Sequence, residues 1–207
     1  MELPRLPPDL LPRLRADPFR APETIALAAS EVHGPAAAAW RRDLESRYEL
    51  DDDDFAKRAK ARHAALARFS GAATGVGGII TFLPDLASLL WIQSRLVFFM
   101  AAAYRYDPTD PMRPAELLVM RDLYGTPEEA REALDGAGRR IAQAYVEREL
   151  RGRDAALAAN LLRFTGKRAG RSLAGRMIPG FAILFNAASN ERETRALADR
   201  ARRFYAG

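Results

Sequence analysis

Residues 69–104 form a stretch in which Asp85 and Arg95 are the sole charged side chains. Such an apolar stretch must be buried, either in a protein core or in a membrane. Pro84–Asp85 divides it, and we expect Asp85 to cap a second helix that ends near Tyr104. Neither half is a good membrane span, because the first is short and glycine-rich and the second carries Arg95 at its centre. We therefore interpret the two halves as a hairpin of helices buried in the core.

The rest of the chain is also patterned for helices. No segment shows the sustained period-two alternation of β-branched residues that strands require. The acidic run Asp51–Asp54 resembles a metal site, but we interpret it as an N-cap and the first turn of a helix. Thr126-Pro127, with Glu129 closing a capping box, is the best-marked helix start in the chain. The predicted helices cover about 22–34, 35–48, 51–69, 85–104, 115–124, 126–150, 154–177 and 190–205.

The length and composition of the chain fit one compact helical domain. Its 207 residues, 48% of them hydrophobic, can bury a sizeable core without disulfides or metals. Residues 1–21 are rich in proline, and we expect an irregular, extended arm there that packs on the body through leucines and Phe19. We assign residues 22–207 to a single all-α domain. The absence of cysteine and of an apolar signal segment near the N-terminus leads us to expect a cytoplasmic location.

Glycines with a spacing of four recur in two parts of the chain. A shift of 95 residues aligns them, together with flanking landmarks. The aligned pairs are Arg68 with Arg163, Phe69 with Phe164, Ser70 with Thr165, Gly71 with Gly166, Gly75 with Gly170, and Pro84 with Pro179. We predict two glycine-rich helical hairpins that form an internal pseudo-repeat, with coincidence in an Ala-, Gly- and Arg-rich sequence as the alternative.

Small residues one turn apart allow a second helix backbone to approach closely. The segment GAATGVGG also resembles a phosphate-binding loop, but it lacks the Lys-Ser/Thr pair and no strand precedes it. We therefore favour helix packing. The candidate packing or hinge residues are Gly71, Gly75, Gly78, Pro84, Gly166, Gly170 and Pro179.

The formal net charge of +5 is concentrated in one part of the chain. Residues 155–190 contain no acidic side chain, whereas Arg163, Lys167 and Arg171 recur there every four residues. Side chains with that spacing share one helix face, which is a candidate contact for an anionic membrane surface. A solvated face and a non-specific site for nucleic acid are the alternatives, since no specific nucleic-acid-binding motif is present.

The sequence offers no recognisable catalytic or metal-binding motif. Without cysteine there is no thiolate chemistry, and the chain has two histidines. We expect His33 at a helix end and His63 on the surface of the basic helix. We therefore predict no catalytic residue, no metal ligand and no cofactor. The oligomeric state does not follow from the sequence.

Three polar residues in apolar surroundings are expected to be buried: Asp85, Arg95 and Asn186. We expect Arg95 to pair with a carboxylate such as Asp107 or Glu116, and Asn186 to bond backbone groups at a helix break. Helices packed beside glycines also allow a further hypothesis, in which the protein carries a hydrophobic ligand in an apolar cavity. The residues expected around that cavity are Phe82, Trp91, Phe98 and Phe99.

Three segments together resemble a known family. They are GAATGVGGIITFLPDLASLL, SRLVFFMAAAYRYDP and MIPGFAILFNAASNERETRALADRARRFY. In this combination the chain is similar to the EcsC protein family over about residues 35–207. It departs from the family pattern at Ala87, where a second proline is common, and at Tyr104-Arg105-Tyr106. The resemblance implies a helical protein with accessory work near the membrane, beside an ABC exporter or another membrane-protein partner, and implies no catalytic residues.

Overall fold

A computed structural model of the chain confirms the all-α class. The structure describes residues 4–70, 78–136, 157, 160–161 and 187–207. None of these residues lies in a β-strand. The helices are α1 (Leu10–Ala16), α2 (Ala21–Glu45), α3 (Asp52–Ser70), α4 (Gly78–Ala103), α5 (Arg113–Met120), α6 (Pro127–Leu134) and α7 (Ala187–Tyr205).

Helix α4 is the centre of the fold. It packs against α2, α3 and α7, and nearly all its side chains from Leu86 onwards are buried. By length and composition α4 is the one helix of the described residues that could cross a membrane, over Leu86–Ala103 with a mean hydropathy of 1.6. Because 89% of that window is buried inside the protein, the helix equally fits the core of a soluble fold. The expectation of a buried apolar helix agrees with this packing.

The predicted helix break at Pro84–Asp85 is wrong. Helix α4 begins at Gly78 and its backbone continues through both residues, so Asp85 is an interior residue of the helix rather than its cap. A proline inside a helix removes one hydrogen bond. Burial of the long apolar helix against three others outweighs that local cost.

The N-terminal segment is not the extended arm that its prolines suggested. Residues 10–16 form α1, and a 3₁₀ helix follows at Pro18–Arg20. Leu10 and Leu14 are fully buried in the main core, whereas Phe19 is 49% exposed. The spacing of four places both leucines on one face of α1, so the segment is held by core packing.

Helix α2 runs unbroken past Gly34 and Pro35, where two helices were predicted. Gly34 is buried at a close approach, since a Cβ placed there would lie 2.8 Å from the carbonyl oxygen of Pro108. The glycine thus lets the Pro108 loop pack directly on the α2 backbone. This tertiary contact, together with the burial of Ala37 and its neighbours, keeps the helix continuous at a sequence that would break an isolated one.

We expect Gly34→Ala to destabilise the protein by about 2 kcal/mol, because the new methyl group meets backbone that cannot easily move. Alanine is the better helix former by about 1 kcal/mol, so helix propensity alone predicts the opposite sign. Urea unfolding followed by circular dichroism would measure the change. A more stable Gly34→Ala variant would contradict the close contact with Pro108.

The helix starts predicted from Asp51 and Thr126 are confirmed. The Asp51 carboxylate accepts the backbone N–H of Asp54 at 2.7 Å. The hydroxyl of Thr126 accepts the N–H of Glu129 at 3.2 Å, and the Glu129 carboxylate accepts the N–H of Gly125 at 2.9 Å. The capping box therefore forms with its return bond displaced by one residue. These helix starts can be predicted from the sequence because each capping side chain and the N–H that it bonds lie within one helical turn.

One helix ends earlier than predicted, and another starts earlier than predicted. Helix α6 ends at Leu134, well before the predicted end near Leu150, and Gly136 follows with a φ of 90°. A glycine in that left-handed region is a common helix stop. The closing amphipathic helix is confirmed as α7, which starts three residues earlier than predicted. The predicted pseudo-repeat and second glycine-rich hairpin fall largely outside the described residues.

Candidate functional site

Helix α3 has one buried face and one basic face. Its buried face consists of Phe55, Ala59, His63 and Leu66, which recur at helical spacing. Beside this face Arg58, Arg62 and Arg68 are exposed. These three arginines lie within roughly 120° of the helix circumference. We call them the α3 basic face.

The arginines of the α3 basic face are not neutralised by carboxylates of the described part of the chain. The helix's lysines are neutralised: Lys57 pairs with Asp54 at 2.9 Å and Lys60 with Asp199 at 2.5 Å. The guanidinium of Arg58 instead lies over the exposed ring of Tyr48, 4.9 Å from its centroid. The α3 basic face is therefore a local positive surface.

Directly beneath the α3 basic face, His63 is fully buried against α4. Its Nδ1 lies 2.7 Å from the carbonyl oxygen of Ala59, so Nδ1–H donates to that oxygen in the neutral ring. The other ring nitrogen, Nε2, is buried and has no hydrogen-bond partner in the described ranges of the chain. The ring packs on the edge of Phe99, with 4.9 Å between centroids.

His33 reaches the same region from α2. Its ring stacks at a tilt on Trp91 of α4, with 4.3 Å between centroids. Within the described part of the chain, His33 Nε2 and the indole Nε1 of Trp91 are both buried without a hydrogen-bond partner. The aromatic packing thus accounts for the apolar parts of both rings and leaves these two nitrogens unsatisfied.

Arg95 lies one helical turn after Trp91 and one before Phe99, on the same face of α4. Its guanidinium sits over the Phe99 ring, 4.7 Å from the centroid. Its buried Nε has no hydrogen-bond partner among the described residues. We call His33, His63, Trp91 and Arg95 the buried nitrogen cluster. Its members come from three helices, and their unsatisfied groups are all nitrogens.

The predicted pairing of Arg95 with Asp107 or Glu116 is wrong. Glu116 accepts from Arg113 at 2.5 Å and from the Tyr205 hydroxyl at 2.6 Å. Asp107 accepts from the backbone and hydroxyl of Thr109. Arg95 faces α2 and α3, whereas Glu116 lies on α5 against the end of α7, so the expected partner is on a different side of the molecule.

The electrostatics of the buried nitrogen cluster are set by burial and by neighbouring positive charge. Burial, together with the positive charge of Arg95 and the nearby His63, lowers the pKa of His33 to about 3, although a backbone hydrogen bond at Trp91 opposes the shift. Burial likewise lowers the pKa of His63 to about 3, although its bond to Ala59 opposes the shift. Burial, with the charge of Arg62, also lowers the pKa of Arg95. Both histidines are therefore neutral near pH 7 beside a guanidinium.

Sequence reasoning placed both histidines incorrectly. His63 was expected on the surface and is fully buried, and His33 lies inside α2 rather than at a helix end. The signal for His63 was present, because it continues the apolar spacing of Phe55 and Ala59. His33 could not be placed while Gly34–Pro35 was interpreted as a helix break.

A separate polar network joins the ends of four helices. Arg41 of α2 and Arg105 both contact Asp52 at the start of α3. Asp53 accepts from the Tyr104 hydroxyl at 2.8 Å and from Arg202 of α7 at 2.8 Å. The acidic run thus has a second, tertiary role beyond capping, which its sequence did not reveal.

Another buried network ties α4 to α7. Gln93 donates to the Thr194 hydroxyl at 3.2 Å and accepts from Arg121 at 2.8 Å. Burial lowers the pKa of Arg121 to about 9. These partners satisfy one another across the core, so we interpret the network as structural.

Most sequence-predicted site residues lie outside the part of the chain that the structure describes. This applies to Arg163, Lys167, Arg171, Gly71, Gly75, Gly166, Gly170, Pro179 and Asn186. Gly78 and Pro84 are described as α4 backbone. Of the aromatic residues expected around an apolar cavity, Trp91, Phe98 and Phe99 are buried in the main core cluster. Among the described residues no group of three or more His, Asp or Glu side chains could hold a metal ion.

The family model described as the EcsC protein family matches residues 41–206. The chain belongs to the EcsC family. The matched region of the EcsC domain includes the α3 basic face and, of the buried nitrogen cluster, His63, Trp91 and Arg95. His33 and α1 precede it.

Similarity to characterised relatives is limited. Over 95 residues the chain is 24% identical to Protein EcsC of Bacillus subtilis (strain 168). That match covers 46% of this chain and 40% of the Bacillus protein, well under half of the relative's length. No solved structure matches the chain. The comparisons thus establish family membership for this EcsC-family protein.

Proposed function

We propose that this EcsC-family protein is a non-enzymatic accessory module that docks on the anionic cytoplasmic face of a membrane through the α3 basic face. The observation that carries the proposal is the unneutralised charge of Arg58, Arg62 and Arg68. Elsewhere on the described surface, basic side chains commonly have carboxylate partners, as in Arg131 with Asp135 and Arg195 with Glu191. Anionic lipid headgroups carry the negative charge that would neutralise these three arginines.

The expected strength of this contact is modest. Each basic residue near an anionic bilayer contributes about 1 kcal/mol, so three contribute about 3 kcal/mol and are weakened by salt. The second predicted basic face, at Arg163, Lys167 and Arg171, would about double that energy if it met the same surface. A membrane-protein partner, such as an exporter, would then add specificity.

Flotation with vesicles tests the proposal. At low salt, we expect the full chain to float with vesicles of phosphatidylcholine and phosphatidylserine. With vesicles of phosphatidylcholine alone, we expect no flotation. Charge reversal in Arg58→Glu/Arg62→Glu/Arg68→Glu should weaken partitioning on the order of 100-fold, as expected for loss of about 3 kcal/mol. The substituted side chains are exposed, so the fold should be retained.

A matched control has the same change of charge elsewhere. Arg42, Arg192 and Arg203 are exposed on α2 and α7. Their triple reversal to Glu should retain most of the flotation. Equal losses in the two triple variants would mean that net charge alone drives binding and would contradict docking through α3.

The same face could attract a nucleic-acid backbone, and competition distinguishes the two occupants. Under the proposal, single-stranded DNA at equal phosphate concentration displaces the protein from anionic vesicles poorly. Displacement at stoichiometric DNA would favour a non-specific polyanion binder instead. Carriage of a hydrophobic ligand has less support, because the aromatic residues described around the expected cavity are packed in the core.

A further inference from the structure

The buried nitrogen cluster is unusual because each of its four members has one buried nitrogen without a hydrogen bond. Buried polar groups in folded proteins nearly always have a hydrogen-bond partner, so each exception requires an explanation. Here the Nε2 atoms of His33 and His63, Trp91 Nε1 and Arg95 Nε are buried without a partner among the residues that the structure describes. His63 and Trp91 are fully buried and His33 is 2% exposed.

The members are held together by ring contacts from three helices. His33 on α2 contacts Trp91, and His63 on α3 contacts Phe99. Arg95 lies between Trp91 and Phe99 along α4 and stacks on Phe99. The four residues therefore lie where α2 and α3 pack against one face of α4.

The chemistry of these nitrogens selects the kind of group that would satisfy them. Trp91 Nε1–H and Arg95 Nε–H can act as donors and not as acceptors. His63 Nε2 carries a lone pair while Nδ1–H is held by Ala59, and it becomes a donor on protonation. Of the charged neighbours, Arg95 acts on both histidines and Arg62 acts on His63. An oxyanion with several acceptor oxygens and a transferable proton fits this set.

We propose that His33, His63, Trp91 and Arg95 form a binding site for one phosphate group between α2, α3 and α4. Trp91 and Arg95 donate to its oxygens, and a hydroxyl of the protonated phosphate donates a hydrogen bond to the neutral Nε2 of a histidine. Arg95 is the partly exposed member, and Arg62 beside it is exposed, so the anion enters past these two arginines. Where the phosphate is a lipid headgroup, the inference rests on the proposed membrane docking; a free phosphate compound requires no membrane.

The indole N–H signal of Trp91 gives a direct test in solution. The chain has two tryptophans, so Trp40 serves as the internal reference. Titration of the full chain with inorganic phosphate should move the Trp91 Nε1–H peak in a saturable way in a ¹H–¹⁵N spectrum, with a smaller change at Trp40. Sodium chloride at matched ionic strength should not reproduce the shift. An unmoved Trp91 peak, or an equal shift with chloride, would overturn the site.

Substitution of Arg95 separates binding from folding. Arg95→Met removes the donor and a partly buried charge, so the variant should remain folded while its affinity for phosphate falls at least about tenfold. Arg95→Lys should retain an intermediate affinity, and Arg42→Met should bind like the unsubstituted chain. Saturable phosphate binding by Arg95→Met with unchanged affinity would contradict the proposed contact.

Vesicles distinguish the two sources of phosphate. Stronger flotation with phosphatidate than with phosphatidylserine at matched surface charge, lost in Arg95→Met, would assign the site to a lipid phosphomonoester. Equal flotation, together with the Trp91 shift, would assign it to a soluble phosphate compound. If the Trp91 peak does not move, the phosphate site is wrong. If flotation is unchanged by charge reversal at Arg58, Arg62 and Arg68, the docking proposal is wrong. The two failures are therefore distinct.

Discussion

Acidification from about pH 6 to about pH 4 should lower the free energy of unfolding by about 4 kcal/mol, with His33 and His63 as the cause. In the unfolded chain each histidine takes up a proton below its ordinary pKa of 6.5. In the folded protein burial lowers both pKa values to about 3, so the rings stay neutral. The unfolded state therefore binds more protons in this window.

The direction follows from that difference in proton binding. The stability that depends on the neutral histidines is fully present above about pH 6.5. As the pH falls from there toward 3, the free energy of unfolding decreases by about 1.4 kcal/mol per pH unit for each histidine. Glu116 and Glu193 act in the opposite direction, because burial raises the pKa of each carboxyl and favours the protonated folded state. Their contribution reduces the slope without reversing it.

Urea unfolding at a series of pH values, followed by circular dichroism, measures this dependence. The chain has two histidines, so the double variant His33→Gln/His63→Gln removes both. We expect its stability to rise slightly from about pH 6 to about pH 4, because Glu116 and Glu193 remain. The same slope in both proteins would mean that the histidines are not buried as neutral rings.

Arg41→Met should destabilise the protein by about 3 kcal/mol. Arg41 is buried and its Nη1 donates to the carbonyl oxygens of Ala102 and Ala103, which end α4. Its Nη2 bonds Asp52 at 3.0 Å. Loss of the guanidinium leaves the α4 carbonyls without these donors, and removal of one partner from a buried polar network typically costs several kcal/mol.

Two control variants define the origin of that loss. Arg42→Met changes the adjacent exposed arginine and should alter stability by less than about 0.5 kcal/mol. Arg41→Lys keeps the charge but cannot span the carbonyls and carboxylates as a planar fork, so we expect an intermediate loss. Denaturant unfolding of the three variants gives the comparison. If Arg41→Met matched Arg42→Met, Arg41 would have no role in holding the helix ends together.

The features that the sequence predicted correctly depend on interactions between residues within about one helical turn of each other. Asp51 and Thr126 cap the helices that follow them, because a side-chain oxygen meets an N–H three residues ahead. The closing helix α7 follows from its amphipathic spacing. The all-α class and the family resemblance rest on the same kind of local signal, repeated along the chain.

The buried nitrogen cluster was missed for a physical reason. Its members span 62 positions along the chain, from His33 to Arg95, and no local rule pairs them. The Gly34–Pro35 pair predicts a helix end at His33, because it breaks isolated helices. In the folded protein that glycine is the contact surface for the Pro108 loop, so the same residues mark a packing site.

By itself the sequence determined where most helices start, which faces are apolar, and that the chain folds as an all-α member of its family. The tertiary structure decided that α2 and α4 continue through their prolines, that both histidines are buried, and that Arg95 stacks on Phe99. Capping and periodicity act between near neighbours, so they can be deduced from the chain. Burial and long-range hydrogen bonds, such as that from Arg41 to Ala102, exist once distant helices have packed together.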